Sequence, residues 1–370
     1  MLRAAPLLVL SALAACSAAE PRPDDSKKDL APPDLSAIRQ QSKNLQQYVD
    51  AMLLCGSTEP ADWEKAKKQF DALQPMFVFQ EDPDLVRQFR TGSESARKEL
   101  ARRGVLLRSM LVFGNGMYDR AKWDEARKVL MDAGEPGQFM LVTTLLKLLL
   151  NGQYAELWPH LRYALCESGK MALETSVGLA RQMAANAPAL SPVFQVDDLV
   201  QVLMVVIGFG DAGRPALEEF ATHSKPNVRR AVARAIGDSR DGSAAPALIA
   251  LLTDPEYVVR ASAAEAAGAL ASARSTVGPA LVDRLGKERD SKVVEKALRS
   301  IGDLYYAEAI PDLIKVVEVP SREIAEAAMQ ALYIITGEKF LRRDQWLEWY
   351  RTKYPEWKKR RDAARKDAPK

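Results

Sequence analysis

From Asp197 onward the chain repeats one rhythm of apolar and polar positions. The segments "DDLVQVLMVVIG", "NVRRAVARAIG", "YVVRASAAEAAG" and "KVVEKALRSIG" each space apolar residues three and four apart and end on a glycine: Gly208, Gly237, Gly268 and Gly302. A branched residue or leucine stands at one fixed distance before each glycine, as Leu199, Val228, Val259 and Val293. A fifth copy, "EIAEAAMQALY", has Ile324 in that place and Tyr333 where the glycine is lost. Three-and-four spacing is the mark of an amphipathic helix. After each copy comes a short loop, and then Pro215, Pro246, Pro279 or Pro311 opens a second apolar helix, with a period of ~32 residues. Proline in a first turn forfeits no hydrogen bond. Glycine at a helix end is expected to take the left-handed cap. One such pair cannot bury its apolar face alone, so the units must stack. The expected fold class is all-α, an α-α superhelix (a right-handed solenoid) of helical hairpins.

Residues 35–192 are also helical in pattern but less regular. The spacing predicts helices at Ser36–Leu54, Ala61–Leu73, Asp84–Phe113, Arg120–Asp132, Gln138–Leu150, Ala155–Ser168 and Met171–Ala185. Turn signals such as "CGSTEP", "AGEPG" and "ESGK" separate them. "YDRAKWDEARKVL" and "NGQYAELWPHLRYAL" resemble tetratricopeptide helices, without meeting that family's full consensus. Residues 193–338 resemble HEAT repeats, in their short bacterial, armadillo-like form. "DPEYVVRASAAEAAG" (Asp254 to Gly268) carries the resemblance through its Asp, Val-Arg, Ala-Ala and Gly. Arg229 and Arg260 match that family's helix-start arginine, which pairs with loop acids; the third copy departs, with Val294 in that place. The resemblance implies a protein-binding scaffold and names no partner.

Composition narrows the function classes. With 47% apolar and 27% charged residues and a formal net charge of +3, the chain has a real core and no excess of positive charge to serve nucleic acid. The two histidines, His160 and His223, exclude a histidine-rich metal site. "VVIGFGDAGRPALEEF" has the G-x-G-x-x-G spacing of a dinucleotide turn, which requires a strand after its helix. The next residues are instead "ATHSKPNVRRAVARAIGDSRD", with Arg229, Arg230 and Arg234 at helical spacing, so the glycines read as parts of the repeat. Ser95 and Lys98 form an S-x-x-K without the companion elements of penicillin-binding enzymes. The pairs Asp197-Asp198 and Glu218-Glu219 are helix neighbours, which point apart. No cofactor, no metal and no catalytic residue is expected.

The first residues, "MLRAAPLLVLSALAAC", give a short apolar segment after Arg3 and end in Leu13-Ala14-Ala15-Cys16. That tetrad resembles the lipobox of bacterial lipoproteins. The resemblance implies a signal peptide over 1–15, lipidation of Cys16 and a membrane held by acyl chains. Ser17 implies the outer membrane, facing the periplasm. Residues 16–34, polar and proline-rich, read as a tether. In an oxidising envelope, Cys55 and Cys166 either pair as a disulfide or serve as two small buried residues.

Residues 339–370 stripe Trp346, Trp349 and Tyr350 along one helical face and end in a basic run from Lys358. "ITGEKF" and the two tryptophans after it resemble the ending of other exported bacterial HEAT proteins. The aromatic stripe is expected to cap the last repeat, or else to form a platform for glycan strands or a partner helix. The basic tail is expected to be solvated, or to attract anionic lipid or peptidoglycan. The functional expectation is a lipid-anchored envelope scaffold or assembly factor that meets an unidentified protein partner on its row of second helices. Arg229, Arg230, Arg234 and Arg260 are its exposed candidates, with Trp346, Trp349 and Tyr350 as a further patch. The alternative is an envelope glycan-binding protein or enzyme with a site in the N-terminal helical half.

Overall fold

The computed structural model describes residues 36–73, 82–115, 120–150, 158–188 and 197–367. Cys16, the signal segment and the tether lie outside the described residues. Among the described residues there are nineteen α-helices and no strand. The chain divides into two compact units between Asn151 and Gly152.

The first unit holds α1 (Ser36–Leu54), α2 (Pro60–Ala72), α3 (Asp82–Arg90), α4 (Glu94–Asn115), α5 (Arg120–Asp132) and α6 (Glu135–Leu149). α4 is its spine and packs on α1, α3 and α5. Tyr48 meets Phe70 edge-on at 5.7 Å between ring centres, and Phe70 meets Phe89 at 6.4 Å. The helix predicted over Asp84–Phe113 is two helices. At the break Gly92 takes φ +92°, Gly92 N donates to Phe89 O, and Ser93 N donates to Gln88 O. This double closure is the usual glycine stop, and Ser93 Oγ then accepts Ala96 N to start α4.

The second unit runs α7 (Trp158–Glu167), α8 (Lys170–Asn186), α9 (Asp197–Gly208), α10 (Arg214–Ala221), α11 (Pro226–Ser239), α12 (Ala245–Leu251), α13 (Tyr257–Ala267), α14 (Arg274–Lys287), α15 (Ser291–Asp303), α16 (Ile310–Val317), α17 (Arg322–Thr336), α18 (Arg343–Thr352) and α19 (Tyr354–Asp367). The second helices of the hairpins form one row. α7, α9, α11, α13, α15 and α17 each pack on the next. The first helices α10, α12, α14 and α16 pack on the second helix that comes after each of them. Thus α7 and α8, sequence-assigned to the irregular half, share a compact unit with the repeats.

The repeat glycines do not cap helices as expected. None of Gly208, Gly237, Gly268 and Gly302 has positive φ; the left-handed residues of the second unit are Gly169, Gly210, Arg240, Tyr305 and Gly337. The glycines sit instead where second helices cross. A Cβ on Gly237 would lie 2.8 Å from Ala266 Cβ and 2.9 Å from its Cα, on Gly268 it would lie 3.1 Å from Ser300 Cα, and on Gly302 3.2 Å from Ala331 Cα. Gly208 faces back to α7, where a Cβ would lie 2.7 Å from Cys166 Sγ. The row is close-packed because side chains are missing along one line.

Pro215, Pro246 and Pro311 sit in the first turns of α10, α12 and α16, as expected. Pro279 does not. α14 begins earlier, at Arg274, and carries Pro279 inside it. The carbonyl that loses its partner belongs to Ser275, which is exposed and open to water.

Substituting these glycines separates tight crossings from open helix. Gly237→Ala is expected to lower stability by about 1–3 kcal/mol, because the clash is with a backbone atom of Ala266. Gly178→Ala, in α8 with nothing within 4 Å of the new methyl, is expected to raise stability by about 0.5–1 kcal/mol through helix propensity. Urea unfolding reads both, and midpoints that shift in the same direction contradict the tight crossing.

Candidate interaction surfaces

The arginines at the helix starts build a ladder between loops. Arg229 donates from Nε and Nη2 to both carboxylate oxygens of Asp254, at 2.6 and 2.8 Å, across to the next hairpin's loop. Its Nη1 donates to the carbonyls of His223 and Ser224. Arg260 repeats the arrangement one hairpin on. It bonds Glu288 at 2.8 and 3.1 Å and the carbonyls of Asp254 and Pro255 at 2.8 and 2.9 Å. In the same hairpin as Arg229, Lys225 Nζ reaches back to the carbonyls of Ala184, Ala185 and Ala187 beside the end of α8. Lys225 thus satisfies carbonyls that the end of α8 leaves open, and the two arginines satisfy carbonyls of the loops before their own helices. The exposure expected of Arg229 and Arg260 is corrected. Their side chains are only 10% and 15% exposed, and two-point pairing commits them to the fold.

Burial pushes the Glu288 carboxyl up, but bonds from Arg260 and from the backbone N–H groups of Asp290 and Arg289 outweigh it and hold it down at about 2. Arg284 Nε adds a further contact at 2.9 Å.

Arg230 and Arg234 stand elsewhere, on the solvent side of α11. Arg234 is exposed and reaches Asp197 of α9 at 2.9 Å. Arg230 is half-buried, and burial, with a smaller push from Arg234, moves its pKa down. Farther along the row, Lys296 of α15 pairs with Glu265 of α13. Beyond them Glu295, Asp303, Glu323 and Glu326 surround Arg299 above an apolar floor of Ala331 and Ile334. The face therefore runs from basic at α11 through mixed charge at α15 to acidic at α17.

The aromatic tail is a cap. α18 packs on α16 and α17, and Trp346 and Trp349 are buried within it. Phe340, Trp346, Trp349 and Trp357 make successive edge-on contacts at 5.0, 5.8 and 6.1 Å. Tyr350 is half-buried and stacks on Tyr354. An exposed platform is thereby corrected at both tryptophans.

Beside the cap, a groove of about 580 Å³ opens between the start of α14, the loop after α15 and α19. Arg274, Ser275, Tyr305, Glu308, Trp357 and Arg361 line it. Sequence reasoning missed it, because its residues are drawn from three hairpin levels. The available signal was Tyr305, a bulky residue at a helix stop.

The remaining candidates are quiet. Cys55 and Cys166 are free thiols, one in each unit. Burial pushes the Cys55 thiol up to about 12, so it is inert. Lys98 pairs with Glu94, and Ser95 with Ser93, so the S-x-x-K residues do not act together. In the N-terminal half, Arg97 lies over Trp63 at 4.5 Å and donates to Cys55 O, beside a hollow of about 290 Å³. His160 is exposed, whereas His223 Nδ1 accepts Lys225 N. Among the described residues no group of three acids, cysteines or histidines is placed to hold a metal, and no helix is long and apolar enough to cross a membrane.

Residues 213–300, from the turn before α10 into α15, match the family model for HEAT repeats. The crystal structure of Kap121p is similar over 94% of this chain, at 14% identity and a TM-score of 0.42. A mutant of the same protein gives the same identity and score over 95% of this chain. An engineered protein is similar over 89% of this chain and 83% of its own, at 19% identity and a TM-score of 0.31. The chain spans about half of the Kap121p chain, 47%. No curated protein matches the chain.

Two measurements test the ladder. Arg229→Ala strands Asp254, 5% exposed, without its partner, and is expected to cost about 3–5 kcal/mol. Arg234→Ala removes an exposed pair and is expected to change stability by under about 1 kcal/mol. The second is a pH profile. The Glu288 carboxyl is held below its ordinary value of 4.5, so its contribution is full above that pH and lost as pH falls through about 2. The gap in melting temperature between wild type and Glu288→Gln is therefore expected to be widest at neutral pH and to close on acidification. A constant gap contradicts the assignment.

Proposed function

We propose that this chain is a non-catalytic interaction scaffold of the bacterial cell envelope, anchored by lipid on Cys16 and facing the periplasm from the outer membrane. The observation that supports it best is the division of labour among its charges. Arg229 and Arg260 are consumed by loops, while Arg230, Arg234, Glu265, Lys296, Arg299 and Glu326 ride on the outer side of one close-packed helix row. Side chains carried on mutually wedged helices keep their spacing, which is what recognition of a macromolecule requires. A stable protein interface buries about 1,600 Å², more than one hairpin offers and within reach of several stacked ones. The tetrad Leu13-Ala14-Ala15-Cys16 and the polar stretch after it support the anchor and the tether. Lys358, Lys359 and Arg360 are exposed on α19 and suit a contact with anionic lipid or peptidoglycan.

Crosslinking in the native envelope tests this reading. One or a few near-stoichiometric protein partners are expected, crosslinked to the second-helix face. The double variant Arg230→Gln, Arg234→Gln is expected to lose them at a temperature where both proteins remain folded, as circular dichroism checks. Cys16→Ser is expected to release the chain from the membrane fraction. Recovery of the protein alone, or partners indifferent to the charge removal, contradicts the scaffold.

A further inference from the structure

The groove beside the cap brings together three features: an exposed strained tyrosine, a seat that fixes its place, and unbalanced positive charge. The first is Tyr305, whose φ of +51° places a bulky aromatic residue in the left-handed region. That position ends α15: Tyr305 N donates to Gly302 O and Tyr306 N to Ile301 O. Glycine fills such a stop without cost, and another L-residue gives up ~1 kcal/mol. The Tyr305 side chain returns nothing for it. It is 60% exposed and makes no hydrogen bond or ring contact with the described residues. A strained residue held in the open points to function.

The second feature is the seat of its neighbour. Tyr306 lies against α14 at Gly278, where a Cβ would come within 2.6 Å of the ring. The missing side chain lets the ring lock the loop to α14 and so fixes where Tyr305 stands. The third is charge. Arg274 has one hydrogen bond, to Leu304 O at 3.3 Å, and no carboxylate partner. Across the groove Arg361 lies over Trp357 at 5.6 Å with its Nη2 on Asp362, while its Nη1 is buried without a partner.

We propose that this groove binds a short acidic segment of a protein partner, with a carboxylate taken by Arg274 and an adjoining apolar side chain laid against Tyr305 and Trp357. The proposal rests on the scaffold reading for the existence of a protein partner and adds a contact away from the second-helix face. A guanidinium donates to a carboxylate at two points, and Arg274 is the lining cation that no acid among the described residues pairs with. The volume lies in the range of small-ligand sites, so a few extended residues fit and a folded surface does not. A neutral sugar would stack on the aromatic rings but leave that charge unanswered.

The test selects a random octapeptide phage library on the immobilised full chain, with Arg274→Glu and Tyr305→Gly beside it. Arg274 is exposed and singly bonded, so its reversal leaves the fold intact. Wild type is expected to enrich sequences with Asp or Glu next to an apolar residue, and Arg274→Glu to bind the selected peptide at least about tenfold more weakly. Tyr305→Gly is expected to weaken that peptide while raising the melting temperature, a pairing of signs that a purely structural tyrosine does not give. Three results overturn the proposal: no acidic enrichment, enrichment that Arg274→Glu retains, or Arg274-dependent retention of purified peptidoglycan in place of peptide. If Arg274→Glu still crosslinks the envelope partners, the groove fails and the scaffold reading stands; if neither wild type nor variant crosslinks any, the scaffold reading fails.

Discussion

Everything in the second unit depends on how closely one second helix lies on the next. Gly237 against Ala266 leaves no room for a single added methyl, and Gly268 against Ser300 and Gly302 against Ala331 leave room only if the neighbour gives by a few tenths of an ångström. Close approach does two things at once. It multiplies dispersion contacts along the row, and it leaves one register in which each glycine faces its partner. The alanines around these crossings, such as Ala263, Ala264 and Ala267, are buried for the same reason. A row built this way is stiff because its spacing is set by backbone, which does not change rotamer.

The ladder depends on that spacing. Once the second helices are wedged together, the loops at their starts are stacked at a fixed interval. Arg229 spans the interval to Asp254, and Arg260 spans it to Glu288. Desolvation offsets much of the attraction in a buried pair, so the ladder is better understood as specificity than as raw stability. Arg229 and Arg260 each make four hydrogen bonds, two to a carboxylate and two to loop carbonyls, an arrangement that few other placements of the side chain would satisfy. The ladder ends at Val294, and there Asp290 takes over locally by accepting Lys292 N and Val293 N. At the end of the array Trp346 closes the apolar face left open by the last hairpin.

Much of this was legible in the sequence, and the misses share a cause. Helix positions came from periodicity, which is local. Ser36–Leu54 and Arg120–Asp132 have the bounds expected of them. The false union of α3 and α4 arose because apolar spacing continues across Gly92, whose φ no pattern displays. The role of the repeat glycines was misread because a glycine near a helix end suits a cap and a crossing equally. Only the neighbouring helix distinguishes them. Arg229 and Arg260 were expected both to pair with loop acids and to stand exposed for a partner; their acids, Asp254 and Glu288, lie 25 and 28 residues on, and pairing takes the exposure away. Trp346 and Trp349 gave the right helix face and left open what that face covers. The candidate groove was least legible of all, since Arg274, Tyr305 and Arg361 have no common motif.

These constraints also say where recognition has room to be written. On each second helix, the glycine end is bound to its neighbour and the starting turn is bound to the loops. Between them lie two solvent-facing positions per hairpin. One is filled by Arg230, Ala261, Glu295 and Glu326, the other by Arg234, Glu265, Arg299 and Gln330. Core packing sets neither, although Arg234 and Glu265 reach charges on neighbouring helices, and they differ in size and in sign of charge while the buried positions around them are apolar. A side chain that the fold does not choose is available to be chosen by a partner. Tyr305 extends the reasoning from indifference to opposition. At Gln330 the side chain is exposed and the backbone is ordinary helix, whereas at Tyr305 the backbone prefers glycine and carries tyrosine instead. Residues retained against local preference mark functional positions more sharply than residues it merely tolerates.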